Sequence, residues 1–307
     1  MVDAASGLAV ELPVVARPQG RRPFLVDVFL RLFRHKPLGA VGFLLILLLL
    51  AVAAIANFAP RLIPYGYNDQ NVSIRLQAPS RAHLAGTDKF GRDVFSRVLH
   101  GARVSVAVGF GATAIGVLFA TLLGVLSGYL GGWFDTVLQR LVDVVMSVPT
   151  LVLLLILVTY ARPGLVTVIW ALGVSIAFRA SRIIRGSVIA LRGAPFIEAT
   201  RVCGSGPLRV MLAHIVPNLF PLMIVIVTVD IGAAILAEAA LSFLGLGIPP
   251  PLPSWGGMLS DRQYMLQAPW LSLAPGIALA LTVYAWNMFG DAMRDLLDPY
   301  LHNTGSP

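Results

Sequence analysis

From Leu38 to Ala59 the sequence is an almost unbroken apolar run, opened by Pro37 and closed by Pro60. As a helix, such a run is long enough to cross the ~30 Å hydrocarbon core of a bilayer. A spanning segment has no water to satisfy its backbone, so its N–H and C=O groups must pair internally. The rest of the chain repeats the pattern. Hydrophobic residues make up 57%, charged residues only 12%, and the mean hydropathy is +0.81, outside the range of a soluble domain. The expected fold class is all-α, a polytopic membrane protein of about six transmembrane helices.

The spans are expected at 38–59, 104–130, 138–160, 165–184, 215–244 and 271–289. The second carries Ala112, Gly116, Ala120, Gly124 and Gly128 at four-residue spacing, a stripe that lets helix backbones approach closely in lipid. It reads as a packing seam, within the chain or against another subunit. Pro149 lies inside the third span and predicts a kink there. Arg179, Arg182 and Arg185 form one basic face at the end of the fourth, read as a membrane-surface feature. Asp143, Asp230 and Glu238 lie within spans, where carboxylates usually face a cavity or a partner, so they are candidates for lining a pathway. A satisfied interhelical hydrogen bond is the simpler reading of Asp230 and Glu238, and the sequence favours it.

Between spans, residues 61–103 form a polar loop whose end, from Val94, turns helical. His83, Asp88 and His100 in it fit no compact ligand set, and no metal site is expected. Residues 245–270 are proline-rich and external, with Trp255 and Trp270 read as interfacial anchors. The first 36 residues lack the apolar core of a secretory signal and include an amphipathic helix over 24–34. The net charge of +8 comes from basic residues flanking the spans and does not call for nucleic acid as a partner. With both termini inside, 14 Lys and Arg fall inside and nine outside, a modest bias toward that orientation. Cys203 is the single cysteine, so no intrachain disulfide can form.

The polar stretch 195–217 reads as two short helices with a bend. Pro195 suits a first helical turn, and Gly204 is placed to end that helix in the left-handed region. Pro207 restarts a helix capped by Ser205 or Gly206, and Glu198 and Arg201 are spaced to pair. The apolar face of Phe196, Ala199 and Val202 must lie on lipid or dock in a groove on a soluble partner.

Glu198-Ala199-Thr200, followed by Gly204 and Pro217, resembles the "EAA" loop of bacterial binding-protein-dependent ABC importers. Thr200 stands where that family usually has Ala, and Val216 where it usually has Leu. Further likeness runs through GTDKFGRDVFSRVLHG (Gly86 to Gly101), the piece from Leu236 to Met258 with Pro253-Ser-Trp-Gly256, and Asn287 to Pro299. Over about 84–299 the chain is similar to the second permease subunit of dipeptide/oligopeptide importers, a family that also includes nickel permeases.

The resemblance implies a type I ABC importer permease fold. It also implies that Phe196, Ile197, Glu198, Ala199, Thr200, Arg201, Gly204 and Pro217 belong to an ATPase-coupling loop. The implied partners are a homologous permease, two ABC ATPase subunits and an extracytoplasmic solute-binding protein. The place is the bacterial inner membrane, with both termini cytoplasmic. The implied layout is a cytoplasmic tail (1–36), a first span with its external loop (37–103), a five-span permease core with the coupling loop at 185–214 (104–299), and a tail (300–307). No catalytic residue or cofactor is expected on this chain, since no phosphate-cradling loop precedes either lysine, Lys36 or Lys89; ATP and Mg would sit on the partners. The rival readings are the same machine carrying nickel or another small solute, an ion-coupled secondary transporter, and a scaffold that moves nothing.

Overall fold

A computed structural model describes residues 24–297, apart from the side chains of 24–28 and 262. The terminal segments assigned above to 1–23 and 298–307 lie outside it. Helix α1 (Phe24–His35) precedes α2 (Pro37–Phe58), and Pro37 opens α2 where its missing N–H costs nothing. Helix α3 (Val94–Leu130) takes in the end of the polar loop and the second span as one 37-residue helix, capped by the Asp93 carboxylate on the Ser96 N–H at 2.7 Å. Then follow α4 (Gly132–Ser147), α5 (Thr150–Tyr160), α6 (Leu165–Arg192), α7 (Pro195–Val202), α8 (Pro207–Arg209), α9 (Val216–Asn218), α10 (Phe220–Phe243), α11 (Trp255–Leu259) and α12 (Trp270–Leu297). Extended pairing among the described residues is limited to one bridge, Thr87 to Asp93.

Among the described residues five helices, α2, α3, α6, α10 and α12, are long and apolar enough to span a membrane. Helices α4 and α5 together pass the same test of length and apolarity but are bent by 91°, which makes them either one broken span or a re-entrant loop. The sequence predicted a kink at Pro149, and the structure has a full break. Val148 and Pro149 are both extended (ψ 128° and 132°), because a residue before proline is pushed out of the helical region. The chain therefore restarts α5 on a new axis.

The main core joins α3, α5, α6 and α10 through side chains such as Val108, Leu154, Ile184 and Leu241, all fully buried. A second cluster joins α2, α3, α10 and α12 around Ile46, Ile231, Ile235 and Trp286. The small-residue stripe of α3 packs inside the chain, on α6. A Cβ added to Gly124 would lie 2.8 Å from Ile184 Cγ2 and 2.9 Å from the Ser181 carbonyl oxygen. One added to Gly128 would lie 2.8 Å from Val188 Cβ. Trp255 is not an interfacial anchor. It is 2% exposed, packed against Gly101, with its indole N–H on the Val98 carbonyl at 2.9 Å. Its buried N–H needed an acceptor, and the α3 backbone supplies one.

The seam gives one substitution two opposite outcomes. Gly124→Ala forces the α3–α6 contact apart and is expected to cost about 1–3 kcal/mol. Gly186→Ala, on α6 where an added methyl meets nothing within 4 Å, should be neutral or stabilising by up to ~1 kcal/mol. Thermal unfolding of the purified chain in detergent compares them; equal shifts would remove the seam assignment.

Candidate functional site: the short-helix loop and the arginine ladder

Helix α7 starts at Pro195 after Ala194 and ends as the glycine pattern requires. Gly204 has φ +81°; its N–H bonds the Arg201 carbonyl at 2.9 Å, and the Ser205 N–H bonds the Thr200 carbonyl at 3.2 Å. This paired closure is the Schellman motif, which needs a left-handed residue at its turn. Pro207 restarts the chain with Gly206 in the cap position. The helix then widens into a π-helical turn over Val210–Ile215 before α9. Pro217 explains the widening. It has no N–H to give and its ring crowds the carbonyl four residues back, so the Val216 N–H reaches five residues back to Met211.

One residue moors α7. Ile197 is fully buried in the main core, beside Val210 and Ile215. Phe196, Glu198, Ala199, Val202 and Cys203 are exposed, with Val202 at 88%. The Thr200 hydroxyl turns back onto the Phe196 carbonyl at 2.8 Å. The expected pair of Glu198 and Arg201 does not form. Arg201 instead lies over the Tyr129 ring, 5.0 Å from its centroid, at the far end of α3. A guanidinium gains more from a fixed aromatic face than from a solvated carboxylate one turn away. Glu198 is left on the outer surface with no ion pair among the described residues.

The three pathway candidates do not come together. Each span carboxylate has its own partner, and two of those partners belong to the basic face of α6. Arg179 Nη2 meets Asp230 Oδ1 at 2.5 Å, binding α6 to α10. Arg182 meets Asp143 on α4. One step further, Arg185 forks onto both oxygens of Asp135, at 2.6 and 2.5 Å, and the Ser127 hydroxyl donates to the same carboxylate. The arginines are therefore rungs between helices, not a surface patch. Asp143 is half exposed, whereas Asp230 and Glu238 are buried. Glu238 Oε1 accepts the Ser242 hydroxyl at 2.6 Å within its own helix. One oxygen of each buried carboxylate, Asp230 Oδ2 and Glu238 Oε2, has no hydrogen-bond partner among the described residues. Asp135 was missed in the sequence. The signal was its place just ahead of the third span, eight residues before Asp143 and so near the same helical face.

His83, Asp88 and His100 are also separate. His83 Nδ1 lies 2.9 Å from Asp93, Asp88 holds Arg92, and His100 packs on Tyr67. A cavity of about 500 Å³ lies at the end of α3 remote from α7, between the polar loop and the proline-rich segment.

Two family models match the chain. Residues 120–303 match the binding-protein-dependent transport system inner membrane component, and residues 24–79 match the N-terminal transmembrane domain of oligopeptide transport permease C. The dipeptide transport system permease protein DppC of Alkalihalophilus pseudofirmus is 41% identical, covering 89% of each chain. The glutathione transport system permease protein GsiD of Pectobacterium atrosepticum is 36% identical over 94% of this chain and 95% of that one. The oligopeptide transport system permease protein OppC of Bacillus subtilis is 37% identical, over 90% and 89%. Among solved structures, the MetNI methionine ABC transporter in inward-facing conformations matches with a TM-score of 0.54 at 20% identity, over 65% of this chain and 96% of that chain. At that identity the likeness concerns the fold, which is that of an ABC importer permease.

The ladder predicts an asymmetry. Arg179→Ala strands the Asp230 carboxylate in apolar surroundings and should cost about 2 kcal/mol, below the ~3–5 of fully buried pairs because Arg179 is half exposed. Asp230→Asn removes the charge itself and should cost less than ~1 kcal/mol. Unfolding of both variants in detergent checks this; a larger loss for Asp230→Asn would contradict the ladder.

Proposed function

The chain belongs to the inner membrane components of binding-protein-dependent transport systems, in the dipeptide/oligopeptide permease family, and on that footing we propose that it forms half of an importer's translocation path for short peptides. The other half is a homologous permease. Two ATPase subunits bind ATP and Mg on the cytoplasmic side, and a solute-binding protein delivers cargo outside. Both termini and α7 lie in the cytoplasm, counting α4 and α5 as one crossing.

The observation that carries this reading is the mooring of α7. Ile197 fixes the helix to the core, while Phe196, Ala199 and Val202 leave an apolar face uncovered. A short helix of this kind fits a groove on a soluble partner. ATP-driven closure of the ATPase pair would carry α7 with it. The Gly204 closure keeps the angle between α7 and the segment that leads into α10, and Arg201 on Tyr129 links α7 to the end of α3. The motion thus reaches the helices held by the arginine rungs, and the path opens alternately to each side. The uncovered face of α4 and α5, with Leu141, Val144 and Ile156 exposed, fits the second permease or the path between the two.

Cargo-stimulated ATP hydrolysis by the complete complex in liposomes tests this. Peptide-loaded binding protein should stimulate it over empty protein. Stimulation by another cargo alone would keep the machine and replace the substrate, and absence of any copurifying ATPase would end the reading. Within that assay, Gly204→Asp is expected to lower uptake per ATP about tenfold, ~1.4 kcal/mol of lost coupling, with insertion unchanged. Normal uptake would take α7 out of the coupling role.

A further inference from the structure

The cavity between the polar loop and the proline-rich segment is built for a negative charge. Three cations line it, Lys89, Arg92 and Arg97, against two carboxylates, Asp88 and Asp261. Asp93 is close in sequence but is not part of the lining, and its oxygens take His83 and the Ser96 N–H. Lys89 is matched by Asp261 at 2.7 Å. That leaves two arginines on one carboxylate. Arg92 Nε sits 2.6 Å from Asp88 Oδ2, and Arg97 Nε is 3.8 Å from the same oxygen. Both arginines are at least nine-tenths buried.

Their remaining donors are not used up. Arg97 gives Nη1 to the Tyr67 carbonyl at 2.7 Å, which fixes its plane. Arg92 stacks on the Phe90 ring, 4.7 Å from its centroid, and its Nη nitrogens have no hydrogen-bond partner among the described residues. A guanidinium held by stacking and by one Nε bond keeps a free fork, the geometry that takes a carboxylate through two parallel bonds. The volume, about 500 Å³, falls in the range of small-molecule sites. The walls are partly apolar, from the 245–258 segment and Leu271.

We propose that this cavity binds the carboxylate of a small solute, with Arg92 as the recognising group and Arg97 as its charge support. Under the import reading it lies outside, so it would hold the acid end of a short peptide after release and before the path. A free solute is favoured over an acidic side chain of a docking protein because both arginines sit inside a cavity and not on a projecting surface.

The test uses the full chain with its partner subunits in lipid nanodiscs, binding protein omitted, and two probes, N-acetyl-dialanine and its C-terminal amide. The acid should bind at least about tenfold more tightly than the amide. Arg92→Gln should erase that preference and Arg92→Lys should keep part of it, since a point charge replaces the fork. Asp261→Asn removes an opposing charge and should tighten acid binding without changing the amide, a gain that misfolding cannot produce. Equal binding of acid and amide, no binding of either, or a preference that survives Arg92→Gln would overturn the site. So would weaker docking of the binding protein on Arg92→Gln without any acid preference, which would assign the arginines to that protein. Peptide-stimulated ATP hydrolysis is a separate readout: it can fail while the acid preference holds, or hold while the preference fails.

Discussion

The close approach of α3 to α6 is the constraint on which the rest depends. In lipid, contact between helices gains no hydrophobic advantage over contact with acyl chains, so association rests on packing and polar bonds. Gly116, Gly124 and Gly128 bring the α6 side chains Ile176, Ile184 and Val188 against the α3 backbone. Only at that distance can Ser127 of α3 and Arg185 of α6 meet on one carboxylate of α4. The rungs at Arg182 and Arg179 then tie α4 and α10 to the same helix. Packing comes first and the charged bonds are its consequence, since each needs a partner fixed within about 3 Å in a medium that punishes an unmet charge.

The two ends of α3 serve different chemistry. At one end Asp93 caps the helix beside a cavity with surplus positive charge. At the other, Tyr129 receives Arg201 from α7. A single helix of 37 residues therefore touches both the outer vestibule and the cytoplasmic loop of the proposed importer. Rigid elements of this kind can carry a displacement from one side of a membrane to the other without any change in their own hydrogen bonding.

Much of this was legible in the sequence, because it rests on local rules. Apolar length gave the spans, the small-residue stripe gave a seam, and Gly204 and the prolines gave the bent loop. The partners of charged groups were not legible. Arg179, Arg182 and Arg185 looked like a surface patch because their carboxylates lie between 39 and 51 residues away, on helices whose rotation no local pattern sets. Arg201 turned from Glu198 to Tyr129 for the same reason: the nearer partner in sequence was the weaker one in space. Trp255 misled in the opposite way, since an indole reads as an anchor until an acceptor such as the Val98 carbonyl is known to be in reach. The break at Pro149 exceeded a kink because both Val148 and Pro149 left the helical region.

The wide turn at Val210–Ile215 sets the phase of everything beyond it. A π-turn spends one residue more than an α-turn over the same stretch, so it offsets the helical faces before and after it by about 100°. Val210 is fully buried where the turn opens, and Leu219, Asp230 and Glu238 face the interior beyond it. The loop and α10 therefore share a core although their patterns are out of step. The turn works as a gear tooth: one residue more or fewer there would leave every span intact and aim the buried carboxylates at lipid.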